Sequence, residues 1–215
     1  MDDALAAATT RSTARVLGID LRPLSLWHVH ALDALANPLG TGDFAPLGAP
    51  TVFHWLADLV ARDRGPDVYV ALREAVAVCS SGYDPALLAV RIGCRLSLRE
   101  RLRARRYGKR ILAELEAFWN WRREGLTLPQ TTKPQAGPKS GFVSKPLACP
   151  RPFALMCAMR ARFHMTSAEA WEMPYAEAAW MEIALRERED PHLRVVDERL
   201  RRLLAAADER KEVPA

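Results

Sequence analysis

The sequence lacks paired cysteines of the kind that hold zinc or exchange electrons. Its four cysteines, Cys79, Cys94, Cys149 and Cys157, include no CxxC pair, and their spacing matches no zinc-ribbon or redox motif. Cysteines that are not arranged in this way usually stay as free thiols in a reducing compartment. We therefore expect free thiols and no metal bound through cysteine.

Long apolar runs are also missing. No stretch approaches the roughly 20 apolar residues that a helix needs to cross a bilayer. The amino-terminal segment, MDDALAAATTRSTAR, begins with acidic residues and has no long apolar core, so it does not read as a signal peptide. These absences predict a cytoplasmic protein that does not contact a membrane.

Motifs for nucleophilic catalysis, phosphate binding and metal binding are missing as well. Neither GxSxG nor GxxxxGK[ST] is present, and residues 79–82 (CSSG) read as a turn. His28 and His30 are two positions apart, which places them on different sides of a helix, unlike the i, i+4 pair of a metal-binding helix. His28 falls on an apolar stripe, where a packed and hydrogen-bonded histidine is the usual finding. His54 and His164 are isolated. We predict no catalytic residue, no metal and no cofactor, and a protein that is not an enzyme.

Apolar residues are plentiful, and their spacing is that of helices. They make up 49% of the 215 residues, against 27% charged residues, so the chain can build a core and is not disordered throughout. Apolar side chains recur at three- and four-residue intervals. This spacing predicts an all-α fold, with helices from Pro23 to Leu35 and in 51–64, 67–80, 153–163 and 191–210.

Three details of this assignment stay open at the level of sequence. Residues 16–19 are either a short strand or an extended lead-in. The valine-rich end of 67–80 allows a strand in place of a helix. The segment 85–124 is either one long helix or two, with Gly93 and Gly108 as its weak points because glycine destabilises a helix interior.

A proline-rich segment divides the chain. Residues 127–152 contain six prolines and two glycines and show almost no apolar periodicity. A helix does not run through such a segment, because proline lacks an N–H and clashes with the preceding turn. We predict an N-terminal helical module (1–126), a linker (127–152) and a C-terminal helical module (153–215).

Positive charge is concentrated in residues 91–110. This segment holds nine Arg or Lys residues and one Glu, in a chain whose whole net charge is +5, so the remainder is net acidic. Six arginines recur every three or four residues and form one stripe on a helix: Arg91, Arg95, Arg99, Arg103, Arg106 and Arg110. The stripe suits either the phosphates of a nucleic acid or an acidic protein, and it also suits a merely solvated face.

The segment Met165–Glu189 has a more specific pattern. Thr166 and Glu169 form a capping box, which predicts a short helix over 167–172. Pro174 interrupts that helix and suits the first turn of a second one, so two helices meet at an angle. Apolar residues surround most of the second helix. Its aromatic side chains therefore either pack into the core of the protein or bind a partner.

Two segments together carry a family resemblance. Residues 163–189, FHMTSAEAWEMPYAEAAWMEIALRERE, resemble the C-terminal signature of siphophage and prophage tail assembly chaperones, a phrase like F-x-M-[ST]-x-x-E-A-W-x-M-[PS] followed by a helix. Residues 18–42, GIDLRPLSLWHVHALDALANPLGTG, are similar to the opening of some phage proteins, although Trp27 stands where those usually have glycine. The proline-rich linker and the basic helix also depart from the family pattern.

The resemblance implies a non-enzymatic helical protein of the bacterial host cytoplasm that coats the tape measure protein, or other tail proteins, during tail assembly. Self-association is a further expectation. We assign the contact with the helical client to the C-terminal module, through five residues: Trp171, Met173, Pro174, Tyr175 and Trp180. The alternative hypothesis is a nucleic-acid-binding accessory protein that acts through the basic helix.

Overall fold

The computed structural model describes residues 13–40, 60, 65–89, 97–127 and 149–189. Within these ranges 72% of the residues are helical and 5% are in strands. The described part contains eight α-helices and one two-stranded hairpin, so the all-α prediction is confirmed.

The hairpin precedes the first helix. Strand β1 (Arg15–Val16) pairs antiparallel with β2 (Ile19–Asp20) across the two-residue turn Leu17-Gly18. Both turn residues have positive φ, 52° and 78°, as the right-handed twist of a tight hairpin requires. Leu17 adopts this conformation although it is not glycine, and its N–H donates to the Glu114 carboxylate at 2.6 Å.

Helix α1 is Leu26–Ala34, three residues later than the start predicted at Pro23. Ser25 caps it: its hydroxyl accepts from the His28 N–H, and the His28 ring accepts from the Ser25 N–H. The prediction was wrong because Ser25 is extended (φ −97°, ψ 168°). The Leu24 carbonyl and the Leu26 N–H bond to the distant C-terminal segment instead of to a first helical turn.

Helix α2 is Gly65–Ser80, so the strand alternative for its valine-rich end is excluded. Val76 and Val78 are fully buried within it. The Gly65-Pro66 pair lies in the first turn of this helix. The N–H groups of a first turn have no acceptor within the helix, so proline, which lacks an N–H, costs no hydrogen bond there. A short helix α3 (Ala86–Ala89) follows.

Residues 98–125 fold as two α-helices with a break between them. Helix α4 is Leu98–Tyr107, a 3₁₀ turn covers Gly108–Arg110, and α5 is Ile111–Gly125. Gly108 has φ +45°, a conformation that ends the first helix. One continuous helix over 85–124 is therefore excluded, and the described part of that segment holds three helices, α3, α4 and α5.

The C-terminal helices follow the sequence prediction closely. Helix α6 is Arg151–Phe163, α7 is Ser167–Glu172 and α8 is Tyr175–Glu189. The capping box of α7 is confirmed, because the Glu169 N–H donates to the Thr166 hydroxyl at 3.3 Å and the Thr166 N–H donates to the Glu169 carboxylate at 2.8 Å.

The buried residues on both sides of the proline-rich segment form one continuous core. Helix α1 lies at its centre and packs against α2, α6, α7 and α8. The largest fully buried side chains of this core include Trp27, Phe118, Trp121 and Tyr175. The division into modules 1–126 and 153–215 stays a prediction. Residues 128–148, the helices predicted in 51–64 and 191–210, and two members of the arginine stripe lie outside the described residues.

Candidate interaction surfaces

The corner between α7 and α8 docks on the chain just before α1. The Leu26 N–H donates to the Met173 carbonyl at 3.0 Å, and the Tyr175 N–H donates to the Leu24 carbonyl at 2.9 Å. These two bonds flank an antiparallel bridge between Ser25 and Pro174. Ser25 and Pro174 form a non-hydrogen-bonded pair, in which neither residue's N–H bonds to the other. Proline has no N–H, so it fits this position without the loss of a hydrogen bond.

Trp171 sits in an aromatic cluster above this bridge. Its ring centroid lies 6.0 Å from that of Trp27 with the rings edge to face, and 5.0 Å from that of His30 with the rings stacked. The Tyr83 ring is stacked at 6.3 Å. Such pairs stabilise a fold beyond the area they bury.

The five residues assigned to a client are largely covered by the protein itself. Trp171 is 6% exposed, Met173 9% and Tyr175 0%, whereas Pro174 and Trp180 are half-buried. The sequence left open whether these aromatics pack into the core or bind a partner. In this structure three of the five are buried, and Trp171 packs against the Trp27 and His30 rings of α1. Client binding through this set stays a prediction, and it would require the corner to detach from α1.

His28 has a structural role. Its Nδ1 accepts from the Ser25 N–H at 3.2 Å and its Nε2 lies 2.9 Å from the Ser81 carbonyl, to which it donates. Burial lowers the pKa of the ring below its usual value, and the nearby Arg22 adds to the effect. A small cavity of about 190 Å³ adjoins it beside Tyr83 and Glu172. With both nitrogens engaged, His28 has no lone pair or proton to offer a substrate in that cavity.

Cys79 is likewise closed to solvent. Cys79 is a free thiol at the core of the protein, and burial raises its pKa, which keeps it protonated and unreactive. No group of three or more metal-ligating side chains occurs among the described residues. No helix in the described ranges is long and apolar enough to cross a membrane.

Helix α4 presents its arginines to solvent. It packs on α2 through Ala104, which is 3% exposed. The predicted stripe members Arg99, Arg103, Arg106 and Arg110 are exposed, and Arg91 and Arg95 lie outside the described residues. No described carboxylate forms an ion pair with any arginine of α4 or with Arg110. With five arginines and one glutamate, this helix has a net positive charge.

One flank of α4 is an apolar groove with a basic rim. Leu98 is 75% exposed and Leu102 is 51% exposed, the highest values among the large apolar side chains described. They lie one helical turn apart beside a concavity of about 420 Å³. Its wall is completed by Pro66, Asp67, Val70, Arg101 and Arg105. This groove was missed in the sequence analysis, although the i, i+4 leucine pair inside an arginine-rich helix was the signal for it.

The opposite flank of α4 is a concavity of about 520 Å³. Six residues line it: Leu17, Tyr69, Arg103, Arg106, Tyr107 and Arg110. Three members of the predicted arginine stripe thus meet at one place. The two tyrosine rings lie with their centroids 5.6 Å apart.

These surfaces cannot be interpreted by comparison with relatives. The chain matches no protein-family model, no curated protein and no solved structure.

Proposed function

We propose that this protein is a non-enzymatic binding protein that holds a helical protein client, in the manner of a phage or prophage tail assembly chaperone with the tape measure protein as client. The observation that carries the proposal is the pair Leu98 and Leu102, which face solvent in a groove between α4 and α2. Exposed leucines arranged at helical spacing are typical of a surface that another helix covers.

The groove defines the chemistry of the client. Burying the exposed parts of Leu98 and Leu102 against an apolar side chain stabilises a complex by about 3 kcal/mol in total, roughly a hundredfold in Kd. Arg101 and Arg105 outnumber Asp67 in the lining, so the groove favours carboxylates over a basic partner. The client segment that fits is an amphipathic helix with an acidic border.

The α7–α8 corner has a supporting role in this proposal. Trp171, Met173 and Tyr175 are buried, and the corner forms backbone bonds with Leu24 and Leu26. In this proposal they hold the C-terminal helices in place while the client contacts α4. Residues 163–189 would then resemble the C-terminal signature of tail assembly chaperones because the same residues are needed to hold these helices in place. The phage-specific part of the proposal, with the tape measure as client, depends on that resemblance.

Co-expression with a helical tape measure segment, followed by affinity capture, tests the proposal. We expect Leu98→Asp/Leu102→Asp to abolish capture, because two charges would enter the apolar groove. Ile19→Asp is the matched control, since Ile19 is an exposed apolar residue on the hairpin (45%) and should leave capture unchanged.

The results separate the surface from the function. If the double leucine variant still captured the client and Trp180→Asp did not, the client would bind the C-terminal helices and not the groove on α4. Failure of the unmodified protein to capture any tape measure segment would refute the chaperone-like function itself.

A further inference from the structure

We propose that the concavity on the other flank of α4 binds single-stranded nucleic acid, with Arg103, Arg106 and Arg110 on the phosphates and Tyr107 stacked on a base. This inference is independent of the protein client, because it concerns different side chains on the opposite side of the helix.

The three arginines converge because of where α4 ends. Arg103 and Arg106 are three positions apart, so they lie on one flank of α4. Gly108, with φ +45°, ends the helix, and the 3₁₀ turn Gly108–Arg110 redirects the chain. Arg110 therefore joins the other two at the rim of the same concavity, although it follows the helix.

The local charge favours an anion. All three guanidinium groups are exposed, and no described carboxylate pairs with them. The carboxylate of Glu114 accepts the N–H of the lining residue Leu17 at 2.6 Å. Three positively charged side chains line the concavity, and none of its lining residues is acidic. Guanidinium groups suit phosphate because their paired N–H donors match two phosphate oxygens.

The aromatic wall distinguishes a nucleic acid from an acidic peptide. Tyr69 is 6% exposed and fixes the position of Tyr107, whose ring is half-buried with its centroid 5.6 Å away. A partly exposed ring held in this way offers a flat face on which a base stacks. The concavity, about 520 Å³, has room for a phosphate and a base together. A single strand fits better than a duplex, because its bases are free to leave the stack and enter the concavity.

The test is fluorescence anisotropy of the full chain with a labelled oligothymidylate, measured over a series of salt concentrations. Each phosphate contact contributes about 0.7 to the slope of log affinity against log salt for a single strand. Removing three contacts in Arg103→Ala/Arg106→Ala/Arg110→Ala should lower that slope by about 2 and weaken binding at least about tenfold.

A matched control removes the same charge from the rest of α4. Arg99→Ala/Arg101→Ala/Arg105→Ala changes three exposed arginines outside the concavity, so it should weaken binding only a few-fold. Tyr107→Leu should weaken binding about five- to hundredfold while leaving the salt slope unchanged, and Tyr107→Phe should bind normally. Circular dichroism of each variant verifies that it folds.

Four results would overturn the inference. One is the absence of binding near physiological salt. Equal losses in the two triple variants would show that only the overall charge of α4 matters. Equally effective competition by polyglutamate would assign the surface to an acidic protein. Equally tight binding of duplex DNA would contradict base stacking on Tyr107.

Discussion

Trp171 allows a direct test of whether the aromatic corner belongs to the core. Replacing it with alanine removes a side chain that is 6% exposed and that contacts the rings of Trp27, His30 and Tyr83. Truncating a buried aromatic residue of this size lowers the free energy of unfolding by about 3–5 kcal/mol. An exposed client-binding residue would change it by only about 0.5 kcal/mol.

Urea denaturation, followed by circular dichroism and by the fluorescence of the remaining tryptophans, measures this difference. We expect Trp171→Ala to move the unfolding midpoint to a clearly lower urea concentration. Trp171→Phe should lower the free energy of unfolding less, because an aromatic ring still fills most of the site. Phe163→Ala is the control on the neighbouring helix. Phe163 is 40% exposed, so its loss should be small.

The outcome that refutes the reasoning is specific. If Trp171→Ala unfolded within about 1 kcal/mol of the unmodified protein and still lost the client, then Trp171 would belong to a binding surface. The docking of the corner on α1 would then not be the state in which the protein works.

Three further predictions concern stability. Since burial lowers the pKa of His28 below 6.5, the unfolded chain takes up protons that the folded chain does not. The free energy of unfolding should therefore fall as the pH drops below about 6.5, and more gently in His28→Gln; equal slopes in pH-series urea melts would contradict this. In Gly40→Ala the new Cβ would clash with the Cβ of Leu32 and lie 2.7 Å from its backbone carbon, so the melting temperature should fall. In contrast, Gly65→Ala has open space and should not destabilise the protein. Thr166→Ala should lose about 1 kcal/mol of unfolding free energy in urea melts because it removes a cap, while Thr166→Ser should not.

Sequence reasoning succeeded where the determinants are local. The capping box at Thr166, the helix it begins and the corner at Pro174 all depend on residues within a few positions of each other. The sequence named Gly108 as a weak point of 85–124 but left the break itself open. The structure places a positive φ there, which is typical of the end of a helix.

The remaining features depend on contacts between distant parts of the chain. The start of α1 was misplaced because Leu24 and Leu26 form backbone bonds with Tyr175 and Met173, which no local pattern indicates. For the same reason the sequence could not decide what covers Trp171. In α4 the stripe of arginines was visible in the sequence. That Arg103, Arg106 and Arg110 meet two tyrosines depends on the packing of α4 against α2.

The bridge between Ser25 and Pro174 has a consequence for synthesis. Its two residues lie near opposite ends of the described chain, so the ribosome releases α1 long before α7 and α8 exist. Until α7 and α8 have been synthesised, the apolar side chains of α1, including Leu26 and Trp27, lack the neighbours that bury them in the folded protein. During this time they can associate with other nascent chains. Closing this long loop is costly in chain entropy and makes its formation a late event. Production of the protein should therefore be more sensitive to interrupted translation and to chaperone supply than its modest size suggests.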